Sequence, residues 1–191
     1  MDTNNYTGKI TVEQVTNSIE CIRCRRFVKF YATMAILMLL ELAALLYIIS
    51  IRDDLYHRFE VSCILCAVFG FTFILMIWQI VYNVRRIKSV ESGVGSLPVY
   101  KVVFENVRSG FWNGTRLVVE IPDGNGKTAE TRPMFVTQKP ANLTAKPRTF
   151  IPTLYVDDFI GREVLVMHNP ENNKLYLLGL ADNFALPTDN F

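Results

Sequence analysis

Two long apolar runs, Phe30–Ser50 and Cys63–Val84, stand almost back to back in the first half of the chain and constrain its fold more than any other feature. The first carries one charge, Glu41, and the second carries none. A helix needs about 20 mostly apolar residues to cross the roughly 30 Å hydrocarbon core of a bilayer. Both runs reach that length. The polar joint between them, Ile51–Ser62, leaves room only for an antiparallel hairpin. The expectation is a transmembrane helical hairpin at 30–50 and 63–84 with an outer loop at 51–62.

Half of the 191 residues are hydrophobic, and the excess lies in these two runs. The stretch from Ser89 to Phe191, about 100 residues, reads as ordinary soluble protein and suffices for one small core. It holds ten Lys/Arg against eleven Asp/Glu. That balance argues against a nucleic-acid polymer as partner, because affinity for the phosphate backbone rests on clustered cations.

The chain's basic excess sits at the flanks of the runs. Arg23, Arg25, Arg26 and Lys29 precede the first run, and Arg85, Arg86 and Lys88 follow the second. The joint sets Arg52 and Arg58 against Asp53, Asp54 and Glu60. Lys/Arg excess close to the ends of a span marks the cytoplasmic side. Both termini are therefore expected in the cytoplasm of a plasma (inner) membrane, with the flanking cations, Trp78 and Tyr82 as interface anchors. Residues 85–97 read as a basic linker. Thr11 and Gln14 have capping-box spacing, Ile10 and Val15 would form the hydrophobic staple, and apolar periodicity predicts an amphipathic helix over 11–29.

Four cysteines fall as two pairs, Cys21 with Cys24 and Cys63 with Cys66. Read as text they resemble a four-thiolate zinc site. The predicted topology puts the pairs on opposite sides of the bilayer, whereas zinc needs every thiolate at roughly 2.3 Å. No metal or other cofactor is implied. The remaining readings are a redox pair at Cys63 and Cys66 in an oxidising exterior, lipidation of Cys21 or Cys24, and small buried side chains in a helix hairpin.

Glu41 is the residue whose placement most needs a reason. Insertion scales set about 2.5–3.5 kcal/mol against an ionised carboxylate at mid-span. Thr72 falls at similar depth on the second run and is the expected hydrogen-bond partner across the hairpin. Gln79 lies two turns nearer the cytoplasm. The alternative is a polar seam between subunits or along a pore.

After Lys88 no helical periodicity of useful length remains, and the chain reads as strands: Val99–Arg108, Thr115–Ile121, Lys127–Val136, a short one at Thr153–Val156, Glu163–His168 and Lys174–Leu180. Turn chemistry at 122–126 and 169–173 predicts two hairpins. A proline-bearing stretch, Thr137–Pro152, reads as a long loop or lid. The fold class is thus membrane α plus β: a helical hairpin followed by a small all-β barrel or roll of five or six strands over 98–182, expected to fold on its own, with a tail at 183–191.

The segment from Phe159 to Leu178 contains Gly161, the Val164-Leu165-Val166 strand, the Asn169-Pro170-Glu171-Asn172 turn and a short apolar strand. It resembles the closing hairpin of a family of uncharacterised bacterial two-helix membrane proteins with a small C-terminal β domain. The resemblance covers some of the tail and the general architecture, and implies fold and membrane location without an activity. The layout alone also resembles the two-helix β-barrel membrane effectors of cyclic-nucleotide anti-phage defence. That resemblance implies a barrel that binds a cyclic dinucleotide and helices that assemble to breach the membrane. Its candidate ligand residues here are Arg108, Arg116, Arg132 and Arg148, with Trp112 to stack on a base. The leading expectation is a membrane-anchored cytosolic β module that binds another protein as an accessory, assembly or immunity-type component and carries no chemistry of its own. Its partners are the lipid bilayer, a second protein and further copies of itself.

Overall fold

The structure, a computed structural model, describes residues 4–5, 10–52, 57–110, 114–121, 128–132 and 156–181. The chain divides into two compact units. One is Arg25–Arg85, and the other joins Met1–Cys24 to Arg86–Phe191.

The first unit consists of the middles of two long helices, α2 (Ile19–Ile51, 33 residues) and α3 (Arg58–Ser92, 35 residues). No proline interrupts either helix, and Gly70 is the one glycine in them. At 1.5 Å per residue each is about 50 Å long, well beyond a bilayer's hydrocarbon core. Both are long and apolar enough to span a membrane, and their most apolar windows have only 6% and 0% of their residues buried within the chain. That exposure distinguishes them from the core helices of a water-soluble domain, whose apolar windows are mostly buried. The two helices face each other across an apolar cleft of about 110 Å³ lined by Met38, Leu39 and Leu42 from α2 and Cys66, Phe69, Gly70 and Phe73 from α3.

The second unit is a sheet in the order β1-β2-β6-β7-β5-β4-β3. Its strands are β1 (Asn4–Asn5), β2 (Val99–Val103), β3 (Asn106–Gly110), β4 (Gly114–Glu120), β5 (Thr128–Glu130), β6 (Glu163–Asn169) and β7 (Lys174–Leu180). Strands β2 to β7 form a curled half-barrel, and the two-residue β1 extends it beside β2. The predicted hairpins form: β4 pairs with β5 and β6 with β7, both antiparallel. In the β6–β7 turn, the side chains of Asn169 and Asn172 accept from the backbone N–H groups of Glu171 (2.9 Å) and Lys174 (3.1 Å). Asn173 takes a positive φ of 53°, a conformation asparagine tolerates better than most residues, and its amide donates to the Thr128 carbonyl of β5 at 2.9 Å.

Strands β6 and β7 are buried on both faces. Val164, Val166, Leu175 and Leu177 enter one cluster with Phe104, Leu117, Val119, Phe159 and Ile19. Leu165, Met167, Tyr176 and Leu178 enter a second cluster with Val15, Cys21 and Val90. Near-continuous apolar strands such as these need a covering layer on each side. Here the rest of the curled sheet closes over the first cluster, and the start of α2, the end of α3 and the short helix α1 (Val12–Thr16) cover the second.

Several sequence expectations are corrected. The predicted strand Val99–Arg108 is two strands at different places in the sheet, because Phe104 leaves the β2 ladder to bridge Ile160. The predicted helix over 11–29 breaks at Asn17–Ser18. The capping box of Thr11 and Gln14 starts α1 as expected, and a new helix begins at Ile19. The linker at 85–97 is helical as far as Ser92, and the joint narrows because α2 continues to Ile51 and α3 starts at Arg58. The compact unit that holds the sheet is larger than 98–182: it includes Met1–Cys24 and begins again at Arg86, and Val15 and Ile19 belong to its core clusters. Strand β5 is shorter than predicted, and Val156 begins a 3-10 turn, Val156–Asp158. The loop Thr137–Pro152 and residues 153–155 lie outside the described residues.

Ile19 precedes the apolar run yet is fully buried in the sheet's core. Ile19→Ala is expected to lower the stability of the sheet by about 2–5 kcal/mol, whereas Val12→Ala, at an exposed position, should change it by less than about 0.5 kcal/mol. Urea unfolding of the full chain in detergent, followed through the infrared band of the sheet, checks both.

Candidate functional site

The most concentrated chemistry in the β unit lies where α2 begins. Ser18 is buried and its hydroxyl accepts from the Cys21 N–H at 3.3 Å, the bond of an N-cap. Glu20 follows in the first turn, where the helix dipole favours a carboxylate. Its side chain is only 3% exposed. It forms an ion pair and hydrogen bond with Nε of Arg86, which lies near the end of α3 and is 7% exposed. Arg86 also donates to the Leu175 carbonyl at 3.4 Å, and its guanidinium carbon lies 4.9 Å from the centroid of the Tyr176 ring.

Around this pair stand Arg23, Arg132 and Cys24. The Cys24 thiol lies 3.8 Å from Oε1 of Glu20, and Arg132 donates to its sulfur at 3.6 Å. Burial works to raise the pKa of Glu20. The charge and hydrogen bond of Arg86, helped by Arg23 and Arg132, outweigh it and hold the carboxyl below its ordinary range. Burial lowers Arg23 to about 10, with Glu20 opposing the shift, so its guanidinium stays charged at neutral pH. The Cys24 thiol is pushed up to about 12, first by burial and then by Glu20, so it is held neutral and unreactive. Cys21 and Cys24 are both buried, while Cys63 and Cys66 are exposed. Among the described residues no group of three His, Cys, Asp or Glu side chains could hold a metal ion.

The site redistributes several residues singled out in the sequence. Arg23 and Arg86 are buried beside Glu20 in place of acting as interface anchors, because a buried carboxylate needs a counter-charge. Arg25 and Arg26 are half-buried, and Lys29, Arg85 and Lys88 are exposed. The exposed Trp78 ring lies 6.4 Å from that of Tyr82. Among the described residues, the candidate ligand cations are engaged by two different carboxylates. Arg108 and Arg116, opposite each other on β3 and β4, both bind Glu130 of β5 and hold its carboxyl below the ordinary range, while Arg132 lies at Glu20. Trp112 and Arg148 lie outside the described residues. Glu20 and Tyr176 were missed. The available signals were an acid within a basic flank and a β7 sequence, Lys174–Leu180, apolar on both faces.

In the helix pair, the expected bond between Glu41 and Thr72 is absent. The Thr72 hydroxyl donates to the Val68 carbonyl one turn back, at 2.9 Å, as short hydroxyl side chains do within a helix. Glu41 is exposed, and no hydrogen bond or ion pair engages it among the described residues. Gln79 is half-buried, and its carbonyl accepts from the buried Asn83 amide at 2.7 Å.

No protein-family model matches the chain, and neither curated proteins nor solved structures provided a match.

Glu20 has a folded-state pKa below its unfolded value, so its contribution to stability is complete above the ordinary carboxylate pKa, about 4.5. It is lost as the pH falls from there through the lower folded value. Glu20→Gln leaves Arg86 buried without a counter-charge and should cost about 3–5 kcal/mol at neutral pH. The variant should also lose much of the acid dependence of unfolding between pH 7 and pH 3. Urea midpoints of the full chain in detergent across that range check both effects, and the half-buried Glu130, paired with the exposed Arg108, supplies a smaller residual slope.

Proposed function

We propose that this chain is a membrane-anchored binding module. Helices α2 and α3 cross a plasma (inner) membrane, and both termini and the sheet lie in the cytoplasm. The half-barrel engages another protein as an accessory, assembly or immunity-type component. The observation that carries this reading is the contrast along each helix: its middle exposes apolar surface, while the start of α2 and the end of α3 are built into the sheet's core.

The orientation is supported by Arg25, Arg26, Lys29, Arg85 and Lys88, which remain at the same ends of the two runs after Arg23 and Arg86 are assigned to the buried site. Protein recognition is favoured over cyclic dinucleotide binding by the engagement of the described candidate cations with carboxylates of the chain itself. Arg108 and Arg116 are both engaged by one carboxylate, and Arg132 lies at the site of another. A phosphate-binding pocket needs its cations convergent.

The reading predicts that a cytoplasm-only reporter fused after Phe191 is active, and that Asp54→Cys is labelled in intact cells by an impermeant thiol reagent. Labelling of Asn190→Cys under the same conditions would contradict it. Each labelling is scored as the increase over the parent chain, whose own Cys63 and Cys66 are exposed.

A further inference from the structure

We propose that the cluster of Arg23, Arg86 and Arg132 around Glu20 is a binding site for one phosphate group, carried by a lipid headgroup or by a free phosphate ester. The site stands on the cluster itself. Only its lipid source rests on the reading of α2 and α3 as membrane-crossing helices.

Three guanidinium groups meet one carboxylate here. Glu20 is paired with Arg86, and the Cys24 thiol joins Glu20, at 3.8 Å, to Arg132, at 3.6 Å. Arg23 stands three residues after Glu20 on the same face of α2 and is 3% exposed. The thiol is neutral, so three cations less one carboxylate leave a surplus of two positive charges in the cluster. Burial is the main cause of the lowered pKa of Arg23, and the like charges of Arg132 and Arg86 add to it. The cations thus repel one another where water screens them little.

A phosphate monoester matches this surplus, since it carries about −1.5 to −2 at pH 7. A guanidinium fork also fits phosphate oxygens in pairs. The members divide the work. Arg86 is held by Glu20, the Leu175 carbonyl and the Tyr176 ring, and supplies a fixed charge. Arg132 is half-buried and is the cation that a ligand arriving from solvent meets first. Its thiol acceptor is a weak one, which a phosphate oxygen replaces at little cost. Of the cations considered for a cyclic dinucleotide, only Arg132 belongs to this set. Arg86 follows the second apolar run by two residues, which on the membrane reading is headgroup depth.

The test follows urea unfolding of the full chain in a neutral detergent, with inorganic phosphate compared with chloride at equal ionic strength. The midpoint should rise by about 1 M once phosphate reaches about a hundredfold its dissociation constant. Arg132→Gln should weaken that response about tenfold or more. Arg132→Lys, which keeps the charge but loses the fork, should also need more phosphate than wild type, and Arg108→Gln should respond as wild type does. Micelles doped with phosphatidic acid or with phosphatidylglycerol separate the sources. A larger rise with phosphatidic acid assigns a lipid headgroup, and a rise with inorganic phosphate alone assigns a free ester. No rise with either inorganic phosphate or phosphatidic acid would overturn the site, as would Arg132 variants that respond like wild type. Neither result bears on the membrane reading, which labelling in intact cells tests separately.

Discussion

A single buried ion pair, Glu20 with Arg86, holds together parts of the chain 66 residues apart. Glu20 stands in the first turn of α2 and Arg86 near the end of α3, so the contact sets the two helix ends side by side. Burying both charges carries a desolvation cost of several kcal/mol per ion, and the mutual attraction repays it only with good additional partners. The Leu175 carbonyl and the Tyr176 ring supply these for Arg86, while Arg23, Arg132 and the Cys24 thiol surround Glu20. An apolar pair of similar volume could fill this space without fixing which residues meet. The charges bring the start of α2, the end of α3 and β7 into contact.

That contact lets the sheet finish its core. Strands β6 and β7 carry apolar side chains on successive positions, so one layer alone would leave Leu165, Met167, Tyr176 and Leu178 in water. At about 25 cal/mol per Å², four large side chains left uncovered would forfeit several kcal/mol, comparable to the net stability of a small domain. The helix ends and α1 cover them. Both long helices run unbroken across the division of the chain, at Cys24–Arg25 and at Arg85–Arg86. A partner that rearranged β7 would therefore act on side chains belonging to both helices.

Local features of the sequence translated directly into structure. The apolar runs became the two long helices, the Thr11 and Gln14 spacing became a capping box, and the asparagine-rich segment 169–173 became the turn of β6 and β7. Each of these depends on residues within a few positions of one another. What escaped the sequence depends on pairing at a distance. Glu20 reads as one acid in a basic flank until Arg86 is brought to it, and Arg23 and Arg86 read as headgroup anchors for the same reason. The division of Val99–Arg108 into β2 and β3 is dictated by Phe104 meeting Ile160, with no glycine or proline there to announce it. Thr72 shows the opposite failure, a long-range bond expected where a local one, to Val68, was available.

The central claim is that the two helix ends and the sheet form one cooperative unit. Native-state hydrogen exchange of the full chain in nanodiscs, at low denaturant concentrations, measures this most directly, because residues that open together share one opening free energy. The account predicts that the amides of Ile22–Cys24 and of Arg86–Val90 open with the same free energy and denaturant dependence as those of Leu165–Met167 and Tyr176–Leu178. Amides at the helix ends that exchange orders of magnitude faster than those of β6 and β7 would contradict it.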